Sequence, residues 1–231
     1  MTVTFRDGMG GDESVIEAML VSSQDDEITQ EMLEESTTFG RINFLMKNRH
    51  GTPFEHNALK FYVECPIAVF REWHRHRIAW SYNEMSGRYK EMAPTFYVPG
   101  PERNIVQAPG SKPGHYVFIP GTPEQYAEMV RDELEVYELA YSKYQKQLSD
   151  GIAKEVARFV LPVGTYSAMY ATTNARALMA FLSLRTKDEE SMFPSYPQRE
   201  IEMAAEVMEQ HFAERFPLVY RAFCENGRVA P

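Results

Sequence analysis

Six basic side chains crowd one short stretch of an acidic chain. Arg71, His74, Arg75, His76, Arg77 and Arg88 fall within eighteen positions, interleaved with Trp73, Trp80, Tyr82 and Tyr89, although the 231-residue protein carries a formal net charge of −9. Arginine keeps its charge at any ordinary pH and presents a planar fork that grips phosphate or carboxylate through two bonds. Within RHRIAWSYNEMSGRY, Ser86 and Gly87 offer a hydroxyl and backbone N–H groups, a further set of donors for an anion. Such a local reversal of sign points to a small anionic ligand, such as a nucleotide. Arg158, Arg176 and Arg185 recur downstream in apolar, helix-like segments. Taken singly, each is equally readable as a surface arginine paired with a carboxylate.

Other chemistries fit less well. His50, His56, His74 and His76 lie close together in sequence, with Glu55 and Glu72 among them. Positions two apart on a helix diverge by about 200°, so His74 and His76 would share a face only on a strand. HxH is also not the HExxH of a zinc protease, and no metal is expected. Cys65 closes an apparent strand and reads as a small buried residue rather than a thiolate. Ser86 reads as a ligand contact rather than a nucleophile, and neither GxGxxG nor a P-loop is present. Two cysteines suggest no disulfide framework. The acidic balance argues against general nucleic-acid binding. The N-terminal MTVTFRDGMGGDES is unlike a signal peptide and no run of eighteen apolar residues occurs, so a cytoplasmic globular protein without a membrane partner is expected.

Several elements must position these side chains. Residues 27–48 read as a helical region broken near Gly40, and HGTPFEH as a turn. ALKFYVEC alternates like a half-buried strand, and Pro66 opens a helix over IAVFREWHRHR. Residues 92–122, dense in proline and glycine, read as a long surface loop with one short strand around HYVFI. Residues 122–149 form a long helix and IAKEVARFVLP a shorter one ended by Pro162. TYSAMYATT is a strand, NARALMAFLSLR a helix capped by Thr173 or Asn174, and QREIEMAAEVMEQHFAERF the last helix. No repeat or linker stands out. Helices around a few strands give an α+β class, with a mixed sheet, flanking helices and a single domain over residues 1–231.

RHRIAWSYNEMSGRY resembles the signature of the flavin-dependent thymidylate synthases. HGTPFEH, EVARFVLP, NARALMAFLSLR and PQREIE resemble further family segments in the same order, over roughly residues 40–215. The resemblance implies a homotetramer, with FAD and dUMP held where subunits meet. It implies synthesis of dTMP from dUMP, with methylenetetrahydrofolate as carbon donor and NADPH as reductant. By motif, Thr52, Glu55, Arg75, His76, Arg77, Glu84, Asn174 and Arg176 are expected at the flavin, with His50 and His56 nearby. Glu72, Arg75, Glu84, Met85, Ser86, Gly87, Arg88, Arg158 and Arg185 are expected at dUMP. Arg185 is the catalytic residue of this set, the arginine that polarises the uracil.

Besides a longer TKDEESMFPSY stretch between Arg185 and PQREIE, the chain departs from the family pattern at three places. Eight residues separate Arg77 from Ser86 where the family has seven, Trp80 being the extra one. Glu72 replaces a glutamine, and Ala180 replaces an asparagine often used by the flavin. These departures motivate a second reading, a flavin- or nucleotide-binding relative impaired in catalysis.

Overall fold

The computed structural model describes residues 1–23 and 34–231. They fall into two compact units, one of residues 1–63, 72–83 and 170–231, the other of residues 64–71 and 84–169. The strands β1 (Thr2–Met9), β2 (Ala58–Pro66), β3 (Trp80–Glu84) and β6 (Tyr166–Thr173) form a four-stranded sheet in the order β1-β2-β6-β3. With helices flanking the sheet, the architecture is the expected α+β mixture.

In the first unit, α1 (Asp12–Leu20), α2 (Glu35–Lys47), α6 (Ala175–Arg185), α7 (Arg199–Arg215) and α8 (Pro217–Glu225) surround a single apolar core. Val15, Ile42, Leu45, Phe61, Leu178, Phe181, Met208, Phe212 and Phe223 are each at most 3% exposed. α2 packs on α8, and α7 on α6, α8 and β1. The N-terminus of α8 is capped from a distance. Both carboxylate oxygens of buried Asp12 accept backbone N–H bonds, from Leu218 (2.9 Å) and Val219 (3.0 Å). An acid there also favours the positive end of the helix dipole.

In the second unit, α3 (Ile67–Trp73) contributes its first residues, and α4 (Pro123–Ser149), α5 (Lys154–Ala157) and the turn after it the remainder. α4 opens with a capping box between Thr122 and Gln125. Met92, Tyr144 and Ala157 make a small core with Met85, Tyr141, Leu148 and Leu161, and the Met92 N–H donates to the Tyr144 hydroxyl (3.1 Å). The strand expected near HYVFI is β5 (Phe118–Ile119), paired antiparallel with β4 (Val106–Gln107).

Local expectations needed correction at several points. α2 runs through Gly40 unbroken, since one interior glycine costs only about 1 kcal/mol and Thr38, Ile42, Leu45 and Met46 bury its inner face; residues 27–33 of the expected helix lie outside the described residues. α3 stops at Trp73 instead of continuing through HRHR. The Trp73 carbonyl accepts from the His76 N–H (2.9 Å) in a tight turn, and the Tyr82 hydroxyl donates to the His76 carbonyl (2.6 Å) and lies 3.3 Å from that of Trp73. IAKEVARFVLP makes only one α-helical turn, then a 3₁₀ turn over Arg158–Val160. Pro162 forces extended geometry on Leu161, whose ψ is 132°. Asn174, not Thr173, caps α6. The elements β1, β3, α1 and α8 were not anticipated from the sequence.

Replacing Asp12 by Ala strips two charge-assisted bonds from α8 and should lower the unfolding free energy by about 2 kcal/mol, measured by urea denaturation.

Candidate functional site

α6 carries charge-bearing residues at both ends. At its start, Asn174 Oδ1 accepts from the Ala177 N–H (2.9 Å). Asn57, 5% exposed, bonds two elements together: its Oδ1 accepts from the Ala175 N–H (2.7 Å), and its Nδ2 donates to the Phe54 carbonyl (3.1 Å). The 3₁₀ turn Thr52–Glu55 is thereby held against the start of α6, and Glu55 meets Arg176 at 2.5 Å. Arg176 Nε also donates to the Pro231 oxygen (2.6 Å). Its guanidinium lies so close over Gly51 that any Cβ there would collide with it. Asn57 was missed in the sequence, where one asparagine before a strand carries no distinguishing signal.

A cavity of about 580 Å³ opens in the same unit. Arg75, His76, Arg77, Trp80, Asn174, Arg176 and Ala180 line it, along with Glu55. Arg75 and Arg77 are exposed cations on its rim. The positive end of α6 adds a backbone contribution of the same sign, a combination that suits an anion. The wall behind is aromatic. Trp80 stacks on Tyr82 (5.7 Å, 11°) and leans on Phe181 (5.3 Å), which also meets Trp73 (5.1 Å). Ala79, just before Trp80, adopts a left-handed φ of 55°, and Thr173 Oγ1 donates to its carbonyl (3.0 Å). That conformation costs an alanine about 1–2 kcal/mol, so the hydrogen bond and the packing of the following Trp80 must hold it.

At the other end of α6, Arg185 is enclosed by Glu72 and His76. Its Nε–H donates to His76 Nε2 (3.0 Å), one Nη to Glu72 Oε2 (3.2 Å) and the other to the Glu72 carbonyl (3.3 Å). Glu72, expected at the nucleotide, is therefore ion-paired with Arg185. His76 is neutral in this arrangement. Burial, and then the Arg185 charge, push its pKa down to about 4.

In the second unit the turn Ser86–Gly87–Arg88 is closed by bonds from the Tyr89 (3.1 Å) and Lys90 (3.0 Å) N–H groups to the Ser86 carbonyl. A Cβ on Gly87 would stand 3.2 Å from both Arg158 Cδ and Met92 Sδ, so the bare glycine lets Arg158 lie across the turn. Arg88 pairs with Glu155 at 2.7 Å with both side chains about half exposed. Such a pair is worth about 0–1 kcal/mol and exchanges readily for a stronger anion. Glu84 accepts from Ser167 Oγ (2.7 Å), and the Met85 N–H donates to the Ala168 carbonyl (2.7 Å).

The structure thus groups Glu55, Arg75, His76, Arg77, Asn174 and Arg176 around one cavity, Glu72 with Arg185, and Met85, Ser86, Gly87, Arg88 and Arg158 around one turn. Thr52 lies elsewhere. With His50, His56 and Arg49 it lines a separate cavity of about 370 Å³. His74 and His76 sit in the turn after α3 rather than on a helix, which removes the angular argument applied to them. Cys65 is fully buried, and burial pushes its thiol pKa far up, as a structural cysteine requires.

Comparison with known proteins follows the same lines. A family model described as thymidylate synthase complementing protein matches residues 6–218. The chain is 52% identical to a flavin-dependent thymidylate synthase of Streptomyces coelicolor, over all of this chain and 94% of that protein. Its identity to the Thermotoga neapolitana protein of that name is 37%, over 94% of this chain and 88% of the other. Among solved structures it resembles the UMP/dUMP methylase PolB of Streptomyces cacaoi bound with 5-Br UMP. That match has a TM-score of 0.90 and 45% identity, over all of this chain and 96% of that one. The 5-Br dUMP complex of PolB matches with the same TM-score, at 43% identity.

His76 gives this site a pH signature. Unfolded, the imidazole titrates near 6.5; folded, it resists protonation until about 4. Its contribution to stability is complete above pH 6.5 and is lost as the pH falls through 4. The wild type should therefore lose stability relative to His76→Gln across that window, measured by thermal melts at a series of pH values.

Proposed function

The chain belongs to the thymidylate synthase complementing protein family, the flavin-dependent thymidylate synthases, and we propose that it makes dTMP from dUMP by reductive methylation. Methylenetetrahydrofolate donates the carbon, and NADPH is the reductant. The observation that carries this reading is the cation-lined cavity at the start of α6, with Arg185 bonded to one of its lining residues, His76.

The residues present fit FAD. A cavity of about 580 Å³ lies within the usual range for a cofactor site. The arginines and the α6 N-terminus suit a pyrophosphate, and Trp80 on the cavity lining suits a flat ring. Glu55, Arg75, His76, Arg77, Asn174 and Arg176 would hold the cofactor; the further family contacts Thr52 and Glu84 do not line this cavity. FAD, when bound, supplies the hydride chemistry that no side chain can perform.

The protein's own contribution is binding, orientation and electrostatics. Ser86, the Gly87 backbone, Arg88 and Arg158 offer donors and fixed charge to the dUMP phosphate, with Met85, Glu84 and Arg75 completing the nucleotide set. Forming a bond at uracil C5 places negative charge on the ring, and the Arg185 guanidinium is the group that stabilises it. Holding the nucleotide and the carbon donor in one orientation contributes much of the remaining rate. The impaired-relative reading is not favoured. The arginines and the NEMSGRY turn are all present, and the Glu72 carboxylate is neutralised by Arg185 rather than facing an anion unpaired.

We further propose that the whole chain acts as one synthase domain and assembles as a cytoplasmic homotetramer with sites at subunit interfaces. Two observations support assembly and location. Val156 and Phe159, flanking Arg158, are 52% and 80% exposed, apolar area that a partner subunit would cover. No helix among the described residues is long and apolar enough to cross a membrane.

Three measurements test this. Protein reconstituted with FAD should show a bound-flavin absorption spectrum that shifts as dUMP is added. Arg185→Ala should lose dTMP formation by at least about 10²-fold while keeping the wild-type circular dichroism; normal turnover by that variant would defeat the role given to Arg185. In solution the wild type should run at four times the chain mass by light scattering, and Phe159→Asp should fall below it.

A further inference from the structure

Glu72 and His76 make contacts that ligand binding alone does not explain. We propose that both are positioning residues for Arg185, acting on the reaction through that guanidinium rather than by touching the nucleotide. The proposal rests on the synthase reading above.

A guanidinium has five N–H donors. Three are occupied here: Nε–H by His76 Nε2, and one N–H on each Nη by the carboxylate and the carbonyl of Glu72. Two donors, one on each Nη, remain for a ligand. Fixing three of five in different directions sets the plane of the group, so the remaining pair has one orientation. The Arg185 side chain is 15% exposed, which leaves it little room to choose another.

Both partners are themselves held. Glu72 lies in the last turn of α3, and its carbonyl, which also accepts from the Arg75 N–H (3.4 Å), has a second lone pair for the Arg185 donor. His76 is fixed by the Tyr82 hydroxyl on its carbonyl (2.6 Å) and by its ring against the Phe181 ring (4.8 Å, T-shaped). Because its Nε2 accepts, Nδ1 carries the proton, and the low pKa keeps that tautomer neutral at any pH used for assay.

A carboxylate at position 72 suits this task better than nucleotide contact. It would repel both a phosphate and the charge that grows on the uracil ring. Toward Arg185 it is purely an acceptor, and unlike an amide it cannot turn a donor to the guanidinium.

The test compares Glu72→Gln and Glu72→Leu with the wild type, each loaded with FAD. A displacement of about 1 Å at a catalytic group can cost about 10²-fold in rate. Glu72→Leu is therefore expected to lower kcat by about that factor while the KM for dUMP changes less than about threefold. Glu72→Gln, which keeps an acceptor, should retain at least about tenfold more kcat than Glu72→Leu. A raised KM with kcat intact, or equal losses in the two variants, would overturn the proposal. Should Glu72→Leu fail to fold or to hold flavin, His76→Phe decides on the same kcat-against-KM split, and an unchanged kcat there would overturn it.

One readout does not depend on turnover. The Arg185 Nε–H proton should exchange slowly with water in the wild type by ¹⁵N-resolved NMR, and at least about tenfold faster in His76→Phe. Fast exchange in the wild type defeats the positioning proposal. Absent dTMP formation by a wild type with slow exchange defeats the synthase reading instead.

Discussion

The burial of one face of α6 sets the spacing on which the first unit's chemistry depends. Leu178, Met179, Phe181 and Leu182 are all fully buried, so the helix cannot roll or slide without exposing them. At 1.5 Å per residue, Arg176 and Arg185 are then held about 14 Å apart along the axis. One end presents the capped N-terminus, Asn174 and Arg176; the other presents Arg185. A single apolar stripe thus fixes two charged groups that meet different partners.

Arg176 and Arg185 remain fixed because each is held by specific partners, while other arginines are held more loosely. Arg176 is held by Glu55 and Pro231 over a bare glycine, and Arg185 by Glu72 and His76. Arg158 lies across Gly87, and Arg88 has only a half-exposed ion pair with Glu155. Low-strength pairing keeps a cation in place yet available to a stronger anion, whereas directed bonds to a nearly buried side chain determine its orientation. The turn and the cavity therefore use arginine differently, the first as exchangeable charge and the second as fixed geometry.

The aromatic residues interleaved with the cations serve the same end. Trp73, Trp80, Tyr82 and Phe181 contact one another, and the Tyr82 hydroxyl holds the turn after α3 through the His76 carbonyl, while the His76 N–H takes the Trp73 carbonyl. HRHR consequently lies in a turn, with Arg75 and Arg77 exposed on the cavity rim and His76 directed at Arg185. A continued helix would have spread those side chains around its axis.

By itself the sequence determined the class of the molecule and the identity of its chemical groups. Alternation in ALKFYVEC, helical periodicity in residues 122–149 and 199–215, and the concentration of arginine beside SGR are local patterns, and local patterns survive folding. The family segments in order were equally legible. Where α3 ends, that α2 passes through Gly40, that Thr52 parts from Glu55, and that Glu72 faces Arg185 were decided by tertiary structure. The last two depend on contacts between residues far apart in the chain: Asn57 with Ala175 for the turn against α6, and Glu72 with Arg185. Burial and hydrogen bonding between distant residues leave no periodic trace, so only the folded chain could reveal which arginine the carboxylate would hold.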